Sequence, residues 1–108
     1  GASYKDIGRC FQPDMDGKKA AICATVVEFK EKSFEDKEKK KKNFGVLTLQ
    51  QNTETIELIV WPENYETMKS QLINAKDHIL LMSCMVKWSN FSNQNGLQDY
   101  KGSILEII

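Results

Sequence analysis

Residues 44–65 read FGVLTLQQNTETIELIVWPENY, and this stretch decides the fold. Two apolar, β-prone runs, 44–49 and 56–61, flank a polar insert at 50–55. The insert is long enough for a hairpin turn and too short for a crossover helix, so the runs pair antiparallel. Alternation then sorts the side chains. Leu47 and Leu49 face in with Ile56, Leu58 and Val60, while Phe44, Val46 and Thr48 face out with Glu57, Ile59 and Trp61. Pro62 lacks the N–H that a ladder needs and suits the first turn of a helix. Beyond it the period changes. Tyr65, Met68 and Leu72 stand at i, i+3 and i+7 with Glu63, Glu66 and Lys69 between them, one apolar stripe on a short helix.

Upstream, residues 18–29 carry apolar side chains at both parities: Ala20, Ile22, Ala24 and Val26 alternate with Ala21, Cys23, Val27 and Phe29. Such a run predicts a central strand that curves through the core and serves two sheets, as the first strand of a small barrel does. Residues 31–43, EKSFEDKEKKKKN, form a charged connector with no apolar stripe to dock a helix. They predict an exposed, mobile hairpin loop. Its Lys37, Lys39, Lys40, Lys41 and Lys42 are open to two readings, a solvated tip that keeps the domain soluble or a finger that contacts phosphates. Before residue 18, Asp16-Gly17 signals a turn, and Ile7, Cys10, Phe11 and Met15 suit a lid or short arm over residues 1–17. The opening Gly1-Ala2-Ser3, without Met, reads as a tag remnant or the edge of an excised fragment.

Downstream of the helix, residues 74–77 make a polar turn, and 78–88 a long strand with Leu80, Met82, Cys84 and Val86 on one face. Residues 89–99, SNFSNQNGLQD, have the composition of a loop; it follows Lys87 and Trp88 and carries Phe91. Residues 100–108 supply a last strand with Ile104, Leu105, Ile107 and Ile108.

A chain of 108 residues with zero formal net charge has room for one modest core and no whole-molecule pull toward a polyanion. No apolar run approaches the ~20 residues of a membrane span. Cys10, Cys23 and Cys84 form no CxxC pair and, with His78 alone, offer no zinc framework. The odd thiol count suits a reducing cytoplasm, and Cys23 and Cys84 read as small core residues. Paired carboxylates in an apolar setting, a nucleophile beside a histidine and a phosphate-cradling glycine loop are all missing from the sequence, which argues against an enzyme and implies no cofactor.

Strand, loop, strand, turn, strand, short helix, strand, loop, strand is the order of an all-β OB-fold, a five-stranded Greek-key barrel with its helix between strands three and four. Residues 18–108 make the barrel and 1–17 the arm. This architecture binds oligonucleotides on the face of strands two and three, rimmed by the loops joining strands one to two and four to five. The candidate site is therefore Lys37, Lys39, Lys40, Lys41 and Lys42 with Phe44, Trp61, Lys87, Trp88 and Phe91. The rings either stack on bases or pack against the arm or a neighbouring domain.

The run FGVLTLQQNTETIELIVWPENYETM also resembles the OB domain of the bacterial DNA polymerase III alpha subunit, a C-family replicative polymerase. Thr48-Leu49, Thr53, Ile56-Glu57, Pro62-Glu63 and Tyr65-Glu66 carry the likeness, and residues 80–86 look like the family's later strand. The chain departs from that pattern at Gln51, Glu54 and Cys84, where an acidic residue, a turn glycine and a strand glycine are usual. The resemblance covers residues 20–108 and implies a non-catalytic module, monomeric in isolation, that contacts single-stranded template DNA, with the other domains of the polymerase as partners and no membrane. RNA binding by an anticodon-type OB domain and protein docking are the competing readings. All nucleic-acid readings expect weak, sequence-tolerant binding that falls as salt rises.

Overall fold

The computed structural model describes residues 3–108, so the reading of Gly1-Ala2 lies outside it. Six strands and two α-helices follow in order: α1 (Ile7–Cys10), β1 (Lys19–Glu35), β2 (Lys41–Gln51), β3 (Glu54–Val60), α2 (Pro62–Leu72), β4 (Ile79–Ser89), β5 (Gln94–Gln98) and β6 (Leu105–Ile107). The sheet order is β1-β2-β3-β5-β4-β6, and β1 also pairs with β4, which closes the ring. β3 and β5 lie parallel and the other pairs antiparallel. This is the OB barrel, with a short sixth strand added beside β4.

β1 serves two partners, as its sequence predicts. Lys19 to Thr25 pair with β4, and Thr25 to Glu35 pair with β2. Between Val26 and Glu28 the register shifts by one residue. This bulge at Val27 exchanges the faces of everything after it, because strand side chains alternate with a period of two. Before it, Ala20, Ile22, Ala24 and Val26 point into the core; after it, Phe29 does.

β2 and β3 follow the expected alternation, with Leu47, Leu49, Ile56, Leu58 and Val60 buried. Asn52 takes the positive φ of 51° in the turn between them, so Asn does the work that a glycine would do at Glu54. Pro62 opens α2, and Tyr65, Met68 and Leu72 are its buried stripe. The arm is part of the same core: Ile7, Cys10 and Met15 are buried with the barrel residues. Gln51 ties it to the sheet, accepting from the Ile7 N–H (2.8 Å) and donating to the Cys23 carbonyl (2.8 Å). Asn95, itself buried, donates to the carbonyls of Cys10 (2.9 Å) and Gln12 (3.0 Å).

Four expectations are corrected. Residues 31–43 are not a mobile loop. They continue β1 and β2 as a paired ribbon, Phe34 opposite Lys42 and Glu35 opposite Lys41, and the turn is only residues 36–40. Asp36 orders that turn by accepting from the N–H groups of Glu38 and Lys40, each at 2.9 Å. Residues 89–99 are not all loop, since Gln94–Gln98 is β5; its weak strand propensity is overridden by partners on both sides, β3 and β4. The strand expected over 100–108 shrinks to Leu105–Ile107. Cys84 is a core residue, but Cys23 points outward at the partly exposed parity of β1.

Candidate nucleic-acid interface

Directly opposed residues of an antiparallel pair point to the same face. The pairs Lys32 with Phe44 and Phe34 with Lys42 therefore put two rings and two ammonium groups side by side on the outer face of the ribbon. Phe44 lies next to Trp61, which follows β3 and caps α2. The three rings form one run: the Phe34 and Phe44 centroids are 5.8 Å apart with planes at 59°, and those of Phe44 and Trp61 are 5.3 Å apart at 29°. These are the tilted and offset arrangements that aromatic quadrupoles favour. Phe34 is 41% and Trp61 38% exposed, with Phe44 half-buried between them.

Trp61 is held from two directions. Its indole N–H donates to Gln98 Oε1 (3.0 Å), and its backbone N–H donates to Asp99 Oδ1 (3.0 Å). The other Asp99 oxygen accepts from Asn64 Nδ2 at 2.7 Å, so α2 is fixed to the same residue.

The inner face of the ribbon is locked to α2. Glu31 Oε1 accepts from the Tyr65 hydroxyl (2.8 Å) and pairs with Lys69 Nζ (3.0 Å). These hydrogen bonds, Tyr65 first, hold the Glu31 carboxyl below its usual range. Burial, and then the Glu31 contact, pushes the Tyr65 phenol well above its own. Tyr65 also stacks on Phe29, centroids 6.4 Å apart.

The lysines divide by position. Lys37, Lys39 and Lys40 occupy the turn, Lys41 has the parity of the α2 side, and Lys42 stands beside the rings. Lys40 lies 3.8 Å from Glu38. Among the described residues Lys32, Lys37, Lys39, Lys41, Lys42 and Lys87 enter no ion pair within 4.0 Å. Apart from Lys41, whose charge acts on Glu31, these ammonium groups are open to an anion.

Lys87 lies on the outer face of β4. Trp88 does not join the ring run, for it is opposite the buried Asn95 and so has the inward parity of Val86. It is nonetheless 48% exposed, and its indole N–H donates to Asn90 Oδ1 (3.0 Å). Phe91 sits wholly exposed at the tip of the β4–β5 turn. Phe34, Lys32 and Gln98 escaped the sequence reading. A lone ring in a charged run was the available signal for Phe34. The bulge that turns it outward has no such mark.

Among the described residues no cluster of His, Cys, Asp and Glu could hold a metal ion, and no helix is long and apolar enough to cross a membrane.

No family model matches the chain, and no curated protein does. Solved structures do. A replication protein A heterotrimer bound to ssDNA superposes with a TM-score of 0.74 at 14% identity, over 96% of this chain and 24% of that one. An aspartyl-tRNA synthetase from Entamoeba histolytica gives 0.65 at 19%, over 90% and 20%. A HINb domain crystal structure gives 0.63 at 14%, over 98% and 47%. The chain thus spans half or less of each of these proteins, and at such identities the likeness establishes the OB-fold alone.

Proposed function

We propose that the chain binds single-stranded nucleic acid, DNA in the first place, along the outer face of β2, β3, β5 and β4. The observation that carries this is the ring run Phe34–Phe44–Trp61 bordered by Lys32 and Lys42. Exposed rings offer bases a stacking surface worth about 1–3 kcal/mol per base, and unpaired ammonium groups beside them neutralise phosphates. The replication protein A structure, bound to ssDNA, supports the reading as a neighbour in fold. Lys87 and the Phe91 tip extend the surface toward the β4–β5 turn. With zero net charge there is little long-range steering, so binding is weak and best seen at low salt.

Tryptophan fluorescence titrated with oligo-dT at low salt tests this directly. The expected result is saturable binding whose logarithm falls with log salt at about −0.7 per phosphate contacted. Replacing Lys32 and Lys42 by Ser flattens that slope by about 1.4, two contacts, and leaves the melting temperature unchanged. No response to DNA overturns the DNA reading. A response to matched RNA alone turns the site toward the anticodon-type reading, which the tRNA synthetase neighbour favours.

A finer proposal rests on the sequence resemblance in residues 44–68: the domain is the template-contacting module of a C-family replicative polymerase. A parent reading frame without polymerase acidic motifs upstream sinks that version and leaves the DNA reading standing.

A further inference from the structure

The same outer face carries a notch. Gly96 on β5 is opposite Lys87 on β4 and lies beside Glu57 on β3, whose carbonyl is its nearest neighbour. A row across three strands therefore reads carboxylate, no side chain, ammonium. Strand spacing of about 4.8 Å sets the outer two backbones roughly 10 Å apart. Neither Glu57 nor Lys87 enters an ion pair among the described residues. The next row adds Ile59 and Gln98, which pair with each other, and the Ser92 turn closes the far side. These six residues, with Trp88, Ser89 and Leu97, line a depression of about 120 Å³. Gln98 also accepts from the Trp61 indole, so the notch is continuous with the ring run.

We propose that this notch reads one nucleobase and prefers cytosine to thymine. The inference rests on the single-strand reading above. The missing side chain at Gly96 gives a flat ring a floor, and Ile59 gives it an apolar contact. At neutral pH the Glu57 carboxylate only accepts hydrogen bonds, and the Lys87 ammonium only donates. Cytosine meets both demands, with its N4 amino group toward Glu57 and its O2 carbonyl toward Lys87. Thymine held in the same pose turns its O4 lone pairs to the carboxylate, and its one donor, N3–H, reaches Glu57 only if the ring shifts within the notch. The remainder of the track stacks on any base, so the preference is confined to one position.

The test is a pair of titrations of the full chain with oligo-dC and oligo-dT of equal length, at neutral pH and low salt. The expected result is dC bound about five- to ten-fold more tightly, the low end of what one base-edge contact discriminates. Glu57→Ala should erase the preference by lowering dC affinity toward that of dT. Gly96→Ala should do the same by filling the floor; its new Cβ would meet only the Glu57 carbonyl at 3.4 Å, an ordinary contact, so the barrel still folds. Equal affinity of the unaltered chain for dC and dT, or a preference that survives both variants, overturns the notch while leaving single-strand binding intact. Failure to bind either oligonucleotide overturns both.

Discussion

On the inner face of the β1–β2 ribbon, Gly45 makes room for the Tyr65 ring, and Glu31 receives both the Tyr65 hydroxyl and the Lys69 ammonium. On the outer face of the same ribbon, Phe44 stacks on Trp61 and Phe34 tilts against Phe44 in the open, and among the described residues Lys32 and Lys42 enter no ion pair. One backbone thus serves two tasks through alternate residues. On the inner side Glu31, Tyr65 and Lys69 fix one another, whereas on the outer side Lys32 and Lys42 stand without an ion-pair partner among the described residues. A binding surface keeps its geometry most cheaply when its rear is rigid and its front is not engaged.

The contrast predicts that stability and binding respond to different faces. The largest effect belongs to Tyr65→Ala, which empties a fully buried ring site. It should cost about 3–5 kcal/mol in denaturant unfolding, as other buried aromatic truncations do. A loss under 1 kcal/mol would mean that the inner face is not the brace described. Trp61→Ala should do the reverse, lowering the oligo-dT binding free energy by about 1–3 kcal/mol while the melting curve moves little. If that variant melts much earlier and binds as before, the roles of the two faces are exchanged.

The smallest effect is one of pH. The Glu31 carboxyl titrates below its ordinary 4.5 in the folded chain, because Tyr65 and Lys69 stabilise its charged form. A depressed carboxylate pKa adds stability above the unfolded-state value, and that increment is lost as pH falls from about 4.5 through the lower folded value. Glu31→Gln should therefore narrow the stability difference between pH 7 and pH 3 without altering oligonucleotide affinity at pH 7. A pH profile identical to that of the unaltered chain would remove Glu31 from the brace.

Much of the barrel was legible because its core strands alternate cleanly. Leu47, Leu49, Ile56, Leu58 and Val60 could face only one way, and Pro62 followed by Tyr65, Met68 and Leu72 could only be a short helix with one buried stripe. The Phe44–Trp61 pairing followed from the same count. Phe34 was hidden by a single residue of register. Without the bulge at Val27 it would share the inner parity, and nothing in an Ala/Val/Thr-rich run marks where the extra residue goes. β5 was hidden for another reason: Gln94-Asn95-Gly96-Leu97-Gln98 has turn composition, and only the neighbouring strands make it a strand. Trp88 has the parity of Val86, yet at the end of β4 it lines the same depression as Lys87 and Gly96.

The latch from Asn95 to the carbonyls of Cys10 and Gln12 joins residues 85 and 83 positions apart. During synthesis from the N-terminus, the arm leaves the ribosome long before the residue that secures it exists. The opening turn must therefore wait, its Ile7 and Cys10 without a finished interior, until β5 has emerged. Such long-range closure belongs to slow-folding topologies, and the arm, made before the barrel it joins, is among the last parts of the domain to be fastened.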